Sequence, residues 1–367
     1  MMTKSRLNQV RRTLIKRKLD AFLSTNPANI QYLTGFRTLA ASTRDAFALI
    51  DQEEVWLLTD SRYLEAVQPL PLVKPMLLDS KQSLNKFIKK TGKSFGWKTL
   101  AYEKTDLRVS ELELLSEKLS LKLVGTQNLI EKFRQVKSEE EISLVTKAAQ
   151  VTDQVFQRIL PELKPGLQEQ EVEAKIRFLS AQLDASGQSF PPIVAAGQHS
   201  SIPHHLISSY QLAQEDLVLL DFGAQWSGYC SDMTRTVFLN QPTPKQKEIY
   251  NLVLKAQEAA IKGIGPGMTG AQADELARRI INKAGFTKNF SHSLGHSVGI
   301  EIHDGFRLAP KSKVVLKPGM IFTIEPGVYF PGEFGIRIED LVVMENDGVR
   351  VLSQSPKNLL VLNSNRA

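Results

Sequence analysis

The sequence contains a single cysteine, Cys230, so no disulfide can form within one chain. This excludes the small secreted proteins that depend on disulfides and favours a reducing, cytoplasmic environment. Long hydrophobic runs are also missing, since none approaches the roughly 18 residues of a membrane-spanning helix. We therefore expect no membrane association. Histidine is absent before His199, which leaves the first half of the chain without an imidazole for metal binding or acid–base chemistry.

The composition is otherwise that of a soluble globular protein, with 42% hydrophobic and 23% charged residues in a chain of 367. The formal net charge is +7, and a basic balance can indicate a nucleic-acid partner. No nucleic-acid-binding motif accompanies this charge. We therefore expect no nucleic-acid partner and interpret the excess as solvated lysine and arginine.

The N-terminal segment is rich in Lys and Arg and poor in acidic residues, as transit peptides are. Apolar residues nevertheless recur in it at helical spacing: Leu7, Val10, Leu14, Ile15 and Leu19. The strand-like AFLST follows directly. The pattern predicts the first helix of the fold.

Two domains are expected from the length of the chain and from its pattern. Residues 1–125 alternate strand-like and helical segments, which predicts an α/β domain. Residues 126–136 are predicted to connect this domain to a second one, of α+β type, over residues 137–367.

A helix–helix–strands unit occurs twice in the second domain. In both copies a Pro-Gly pair follows the first helix, and Pro165 and Pro266 are 101 residues apart. Both first helices also begin with a capping sequence, Ser138 with Glu141 in one copy. Two copies predict an internal duplication with pseudo-twofold symmetry.

Two aspartates flank a predicted hairpin in the first copy. Asp221 ends the apolar run 217–220, where a carboxylate is costly unless its charge is compensated. A turn centred between Trp226 and Ser227 would place Asp221 opposite Asp232, with Cβ atoms about 4.5–5.5 Å apart. Two carboxylates that close repel each other, so one of them holds a proton or a cation binds both. The pair therefore indicates a divalent cation.

The second copy repeats this design, because a turn centred on Gly332 would place Glu325 opposite Glu339. The two pairs could meet across the pseudo-twofold axis. His296, in a segment with several glycines, would add a nitrogen ligand. Four carboxylates and one imidazole form a predominantly hard set, which favours Mn²⁺, with Co²⁺, Fe²⁺ or Zn²⁺ as alternatives, over a cysteine-based zinc site.

These five residues lie in the blocks LLDFGAQWSGYCSDMTRT, GHSVGIEIHD, TIEPGVY and GIRIED. The blocks resemble those of the pita-bread metallopeptidases, the superfamily of methionine aminopeptidase, prolidase and aminopeptidase P. NIQYLTGF and TDSRYLEA resemble the creatinase-type domain that precedes the catalytic domain in the proline-specific members (family M24B). The resemblance covers nearly the whole chain. It implies a creatinase-type N-terminal α/β domain followed by a pseudo-twofold pita-bread catalytic domain.

The resemblance also implies a role for each ligand. Asp221 would chelate one of two divalent metal ions, His296 and Glu325 would hold the other, and Asp232 and Glu339 would bridge both. Two such ions lower the pKa of a water molecule and polarise the scissile carbonyl. Glu325 would in addition transfer the proton.

Four further residues are carried over from the family pattern. His204, which precedes the first ligand by 17 residues, and His303, which follows His296 by seven, match its substrate-site histidines. They would hydrogen-bond the substrate carbonyl and the developing oxyanion. Arg337 is expected to orient an acidic ligand. Arg307 aligns with an arginine that binds the terminal carboxylate of the substrate in prolidases, and some short bacterial aminopeptidases have this arginine too, so it does not distinguish the two activities.

The resemblance implies small proline-containing peptides as substrates and a homodimer as the assembly. An aminopeptidase that removes the residue before an N-terminal Xaa-Pro bond is the first hypothesis, and an Xaa-Pro dipeptidase (prolidase) is the alternative. A site closed at the prolyl end would favour dipeptides, and an open one would favour longer peptides. A creatinase-type enzyme does not use this metal set, and a non-catalytic binding protein on the same scaffold would have lost ligands. The presence of all five favours a hydrolase.

Overall fold

The computed structural model describes residues 2–38 and 44–362. The chain divides into two compact units, Met1–Arg134 and Gln135–Ala367. No helix among the described residues is both long enough and apolar enough to cross a membrane.

The first unit is an α/β domain. Its helices are α1 (Met2–Arg17), α2 (Pro27–Thr34), α3 (Leu64–Val67), α4 (Leu84–Phe95), α5 (Val109–Lys118) and α6 (Glu131–Arg134). Its strands are β1 (Ala21–Ser24), β2 (Ala46–Asp51), β3 (Val55–Thr59), β4 (Lys74–Leu77), β5 (Thr99–Glu103) and β6 (Lys122–Thr126). The six strands form one mixed sheet in the order β4-β3-β2-β1-β5-β6.

The predicted apolar stripe of α1 is largely confirmed. Leu7, Val10 and Leu14 are buried, whereas Ile15 is exposed. The segment predicted to connect the domains contains α6. Arg134 in α6 is buried, and the division between the units falls directly after it.

The second unit carries the remaining elements. Its helices are α7 (Glu139–Ile159), α8 (Glu169–Gln182), α9 (Pro244–Gly263) and α10 (Gly270–Lys283). Its first strands are β7 (Gly187–Gln188), β8 (Ile193–Ala196), β9 (Leu217–Phe222), β10 (Ala224–Trp226), β11 (Tyr229–Cys230) and β12 (Met233–Phe238). The strands that follow are β13 (Gly295–His296), β14 (Arg307–Leu308), β15 (Ile321–Ile324), β16 (Gly327–Phe330), β17 (Phe334–Arg337), β18 (Asp340–Met344), β19 (Val349–Val351) and β20 (Leu360–Val361).

The predicted repeat is visible in the helices and sheets of this unit. Helices α8 and α10 have 14 residues each and begin 101 residues apart. Helices α7 and α9 both start with a capping box, in which the hydroxyl of Ser138 or Thr243 accepts a hydrogen bond from a backbone N–H. Helices α7 and α8 precede the sheet β20-β12-β9-β8, and α9 and α10 precede the sheet β15-β18-β19.

Each half of the second unit has its own apolar core. The first half buries Val155, Phe156, Ile176, Val194 and Leu220 together. The second half buries Val253, Ile281, Phe322, Ile324 and Val342 together. Two similar cores fit a fold built from two copies of one motif.

The register of the first hairpin differs from the prediction by two residues. Thr234 on β12, and not Asp232, lies opposite Asp221 on β9. The cause is the turn, where Ser227 (φ 49) and Gly228 (φ 80) both adopt the left-handed conformation of a two-residue hairpin loop. Asp221 and Asp232 are therefore diagonal neighbours on one face of the hairpin, which still brings their side chains together.

The register of the second hairpin agrees with the prediction. Ile324 lies opposite Asp340 in one ladder, and Gly327 lies opposite Arg337 in the next. Both ladders place Glu325 opposite Glu339, in the short interruption between β15–β18 and β16–β17. Pro326 follows Glu325 and cannot donate to a ladder, which suits a position between two strands.

Candidate metal centre and substrate cavity

The second unit contains a cavity of about 980 Å³. Its walls include every site residue predicted from the sequence: His204, Asp221, Asp232, His296, His303, Arg307, Glu325, Arg337 and Glu339. The two hairpins and the β13–β14 ribbon thus deliver their polar side chains to one place.

The predicted ligand atoms lie close together at the base of the two hairpins. Ligand atoms of Asp232, His296 and Glu339 lie within 4.8 Å of one another. His296 Nε2 is 3.4 Å from Asp232 Oδ2 and 3.5 Å from Glu325 Oε1. These distances are those of side chains arranged around a shared position.

His296 is placed by the short strand β13. Its backbone N–H donates to Thr323 Oγ1 at 3.0 Å, and the same hydroxyl donates to Glu325 Oε1 at 3.0 Å. Gly295 permits this approach, because a Cβ atom there would collide with the carbonyl oxygen of Thr323. Thr323 therefore fixes two predicted ligands relative to each other.

The carboxylates form an electrostatically strained cluster. Burial and the neighbouring charges of Asp221 and Glu325 raise the pKa of Asp232 well above its ordinary value. Burial and the charge of Asp232 do the same to the pKa of Glu339. Burial also raises the pKa of Glu325, although His296 and Arg337 oppose that rise.

A divalent cation fits this donor set. The cluster offers mainly carboxylate oxygens and one imidazole nitrogen, and cations remove the repulsion among buried carboxylates. Asp221 Oδ1 is buried and, among the described residues, accepts no hydrogen bond. An unpartnered buried carboxylate oxygen is costly, and a metal ion would satisfy it.

Arg337 is the main cationic group that the protein places beside the cluster. It donates to Asp221 Oδ2 at 2.5 Å and to Thr234 Oγ1 at 3.0 Å. Thr234 in turn donates to Glu339 Oε2 at 2.6 Å. One arginine and one threonine thereby orient a carboxylate from each hairpin.

The phenol of Tyr329 and the imidazole of His292 extend this network and were not singled out from the sequence. Arg337 Nη1 donates to the Tyr329 hydroxyl at 2.8 Å, which lies 2.9 Å from His292 Nε2. Burial raises the pKa of Tyr329 to about 12 and lowers the pKa of His292 to about 3, so both are neutral at pH 7. Tyr329 stands in the quoted TIEPGVY block, but no spacing rule ties a tyrosine there to an arginine eight residues later.

The remaining predicted residues lie in the cavity without belonging to the carboxylate cluster. The ring of His303 is 4.3 Å from that of His296, and desolvation with nearby His296, Arg307 and His204 lowers the pKa of His303 to about 4. Arg307 lies opposite His296 in the β13–β14 ribbon. Among the described residues, the Arg307 guanidinium makes no hydrogen bond or ion pair, which leaves it free for a ligand.

Family comparisons cover almost the full chain. The model of metallopeptidase family M24 matches residues 143–346, and that of the creatinase/prolidase N-terminal domain matches residues 6–136. A curated Xaa-Pro dipeptidase of Pyrococcus furiosus is 34% identical over 361 residues, covering 97% of this chain and 100% of that protein.

Two solved structures share the fold over nearly the same extent. An Xaa-Pro dipeptidase from Bacillus anthracis superposes with a TM-score of 0.92 at 35% identity, covering 98% of this chain and 99% of that one. An X-Pro aminopeptidase from Thermotoga maritima superposes with a TM-score of 0.88 at 31% identity, covering 97% and 99%. These likenesses confirm the predicted two-part architecture.

Proposed function

The chain belongs to metallopeptidase family M24, and from this premise we propose that it is a metal-dependent prolidase that hydrolyses Xaa-Pro dipeptides. The observation that carries the proposal is the convergence of four carboxylates and one imidazole in a single cavity. Asp221, Asp232, Glu339 and His296 are buried, and Glu325 is partly buried. The retention of all five ligand positions argues against a non-catalytic binding protein on this scaffold.

We assign the metal ligands as the resemblance implies. Asp221, Asp232, His296, Glu325 and Glu339 would hold two divalent ions, with Mn²⁺ first and Co²⁺, Fe²⁺ or Zn²⁺ as alternatives. When bound, such ions supply a water molecule of lowered pKa and polarise the scissile carbonyl.

The protein's own groups handle the protons and the developing charge. Glu325 is the proposed proton carrier, as the family resemblance implies. His303, neutral at pH 7, can donate an N–H to the carbonyl oxygen of the substrate. His204, on another wall of the cavity, is the second proposed donor. Apolar side chains that line the cavity, among them Phe190 and Ile302, would strengthen both hydrogen bonds by lowering the local dielectric.

Dipeptide specificity is the alternative of the two hypotheses drawn from the sequence, and the names of two relatives favour it over an aminopeptidase. The proteins of Pyrococcus furiosus and Bacillus anthracis described above are both named Xaa-Pro dipeptidases. The free guanidinium of Arg307 supports the same choice, since it would pair with a terminal carboxylate. Ile302 and Phe190 line the cavity as well and would contact a prolyl ring.

An Xaa-Pro aminopeptidase remains the second candidate. It is favoured by the likeness to the Thermotoga maritima structure, which is named an X-Pro aminopeptidase. An aminopeptidase needs room beyond the prolyl residue, and it does not depend on a free prolyl carboxylate.

Substrates that differ only at the prolyl end distinguish the two. We expect Ala-Pro to be cleaved. Ala-Pro amide and Ala-Pro-Ala should be cleaved with a kcat/KM at least about tenfold lower, because one hydrogen bond to a charged group contributes about that factor to binding. Arg307→Leu should raise the KM for Ala-Pro by about 10-fold or more and leave the KM for Ala-Pro amide unchanged.

Arg177 provides a matched control, because it also lines the cavity but pairs with Glu173. Arg177→Leu should leave the KM for Ala-Pro unchanged. Equal cleavage of all three substrates by the wild-type protein, or an Arg307→Leu variant with normal KM, would favour the aminopeptidase.

We also propose that the protein works in the cytoplasm as a homodimer. The single cysteine supports a reducing compartment, and the family resemblance supports the dimer. Light scattering that detects a fully active monomer would contradict the dimer.

A further inference from the structure

A second polar cluster lies outside the proposed metal centre. It consists of Glu169, at the start of α8, and the imidazoles of His199 and His205. Glu169 is completely buried. Its Oε1 lies 3.0 Å from His199 Nδ1, and its Oε2 lies 2.9 Å from His205 Nε2. None of these three residues stands in the ligand pattern described above.

The cluster is arranged as a hydrogen-bonded support and not as a metal site. The two rings are stacked, with centroids 4.4 Å apart and planes 27° apart, whereas a shared ion must lie near the plane of each ring that binds it. Each carboxylate oxygen also accepts a further hydrogen bond, from Ala196 N at 2.9 Å or from Ser208 Oγ at 2.6 Å. Glu169 thus meets four donors.

These four donors belong to different segments of the chain, and His205 among them also lines the cavity. Ala196 ends β8, His199 lies in the 3-10 turn Gly197–Ser201, and His205 and Ser208 belong to the loop that carries His204. Burial alone would raise the pKa of Glu169, but the four hydrogen bonds outweigh it and hold that pKa below its ordinary value. The carboxylate is therefore ionised and fully engaged at neutral pH.

The His204 loop, residues 202–208, has little hydrophobic anchoring of its own. Its large apolar side chains are exposed, Ile202 by 51%, Leu206 by 85% and Ile207 by 39%. The side chain of His205, in contrast, is only 8% exposed. Two side-chain hydrogen bonds of the loop do not involve Glu169: a long contact from Arg337 to the carbonyl oxygen of Pro203, at 3.4 Å, and one from Tyr210 N to Ser208 Oγ, at 3.1 Å. The others described for the loop converge on Glu169.

We propose that Glu169 is a positioning residue for the reaction: through His205 and Ser208 it fixes the His204 loop, and thereby holds the adjacent His204 in the cavity where a substrate carbonyl would lie. The inference rests on the proposed role of His204. Glu169, a buried carboxylate 35 residues before His204 in the chain, is the group on which the position of His204 depends.

A double-mutant cycle tests this dependence in the metal-loaded, full-length protein. We expect Glu169→Gln to lower kcat for Ala-Pro about 10- to 100-fold, the effect of misplacing a catalytic group. In a His204→Ala background the same substitution should change kcat by less than about twofold, since its effect passes through His204. Multiplicative losses in the double variant would overturn the proposal.

Variants of His205 keep the test decisive if Glu169→Gln does not fold. The amide of glutamine can replace the Nε2–H donor of histidine, so His205→Gln should be at least about tenfold more active than His205→Leu. Equal activities of these two folded variants would count against the positioning role.

Hydrogen exchange provides a readout that does not require catalysis. Loss of the Glu169 contacts should speed amide exchange in residues 202–208, with exchange in α9 unchanged. Unaltered exchange in the His204 loop would refute the proposal even if the wild-type protein cleaved no Xaa-Pro peptide. Absence of wild-type cleavage would instead count against the proposed function.

Discussion

Asp232→Asn should abolish peptidase activity and lower kcat/KM by on the order of 10³-fold or more. This loss corresponds to the several kcal/mol by which bound metal ions stabilise the transition state of such reactions. Asp232 lies between the two halves of the proposed centre, 3.4 Å from His296 and beside Asp221 and Glu325. The substitution keeps the shape of the side chain and removes its charge. A bridging carboxylate cannot be replaced by an amide, because the amide nitrogen is no metal ligand.

The fold should survive this change. In the metal-free protein, burial and like charges already disfavour ionised Asp232, so the variant should unfold at the same temperature as the wild-type protein or above it. Added Mn²⁺ should raise the unfolding temperature of the wild-type protein and have a smaller effect on the variant. Wild-type turnover by Asp232→Asn with its full metal content would refute the assignment.

Arg235→Met should reduce the free energy of unfolding by about 3–5 kcal/mol, the cost of breaking a buried ion pair. Arg235 and Asp340 are each 1% exposed and lie 2.6 Å apart. Arg235 also donates to the carbonyl oxygens of Thr234, at 2.9 Å, and Ser355, at 2.8 Å. It therefore connects the first hairpin, the second hairpin and the C-terminal segment.

Denaturation of the metal-free protein at pH 7.5 measures this effect without interference from metal binding. Burial raises the pKa of Asp340, but Arg235 and Lys357 outweigh burial and hold that pKa low. A lowered carboxyl pKa contributes stability above the unfolded-state value, so the contribution is complete at pH 7.5 and is lost only on acidification. Arg350, paired with Glu345 at the surface, is the matched control, and Arg350→Met should cost under about 1 kcal/mol. Equal losses for the two variants would contradict the account.

The sequence was sufficient to select side chains that line one cavity, because several candidate ligands stand next to a strong local signal. Asp221 follows the apolar run 217–220, and Glu325 and Glu339 flank a Pro/Gly-rich turn. The turn centre at Gly332 was enough to derive the register of the second hairpin, which the ladders reproduce.

The first hairpin shows where this reasoning fails. Its turn could be placed at two neighbouring positions, and moving the centre by one residue shifts the pairing by two. The left-handed conformation of Ser227 and Gly228 determines which turn position is used. The spacing of the two aspartates does not indicate that position.

The supporting network could not be predicted, because its members are distant in sequence and of ordinary residue types. Thr234 meets Glu339 across more than a hundred positions. Glu169 meets His205 across 36. A buried threonine or glutamate has no local pattern that names its partner. The Thr234–Glu339 contact forms when the two copies of the motif pack together, and the Glu169–His205 contact forms within the first copy when α8 packs against the His204 loop.

The most direct test of the central claim is cleavage of Ala-Pro by the metal-stripped protein before and after addition of Mn²⁺, Co²⁺ or Zn²⁺, with free alanine as the measured product. The account predicts no cleavage by the stripped protein and recovery on addition of metal, with Mn²⁺ the most effective. Cleavage that persists in fully stripped protein, or no cleavage with any metal in protein shown to be folded, would contradict it.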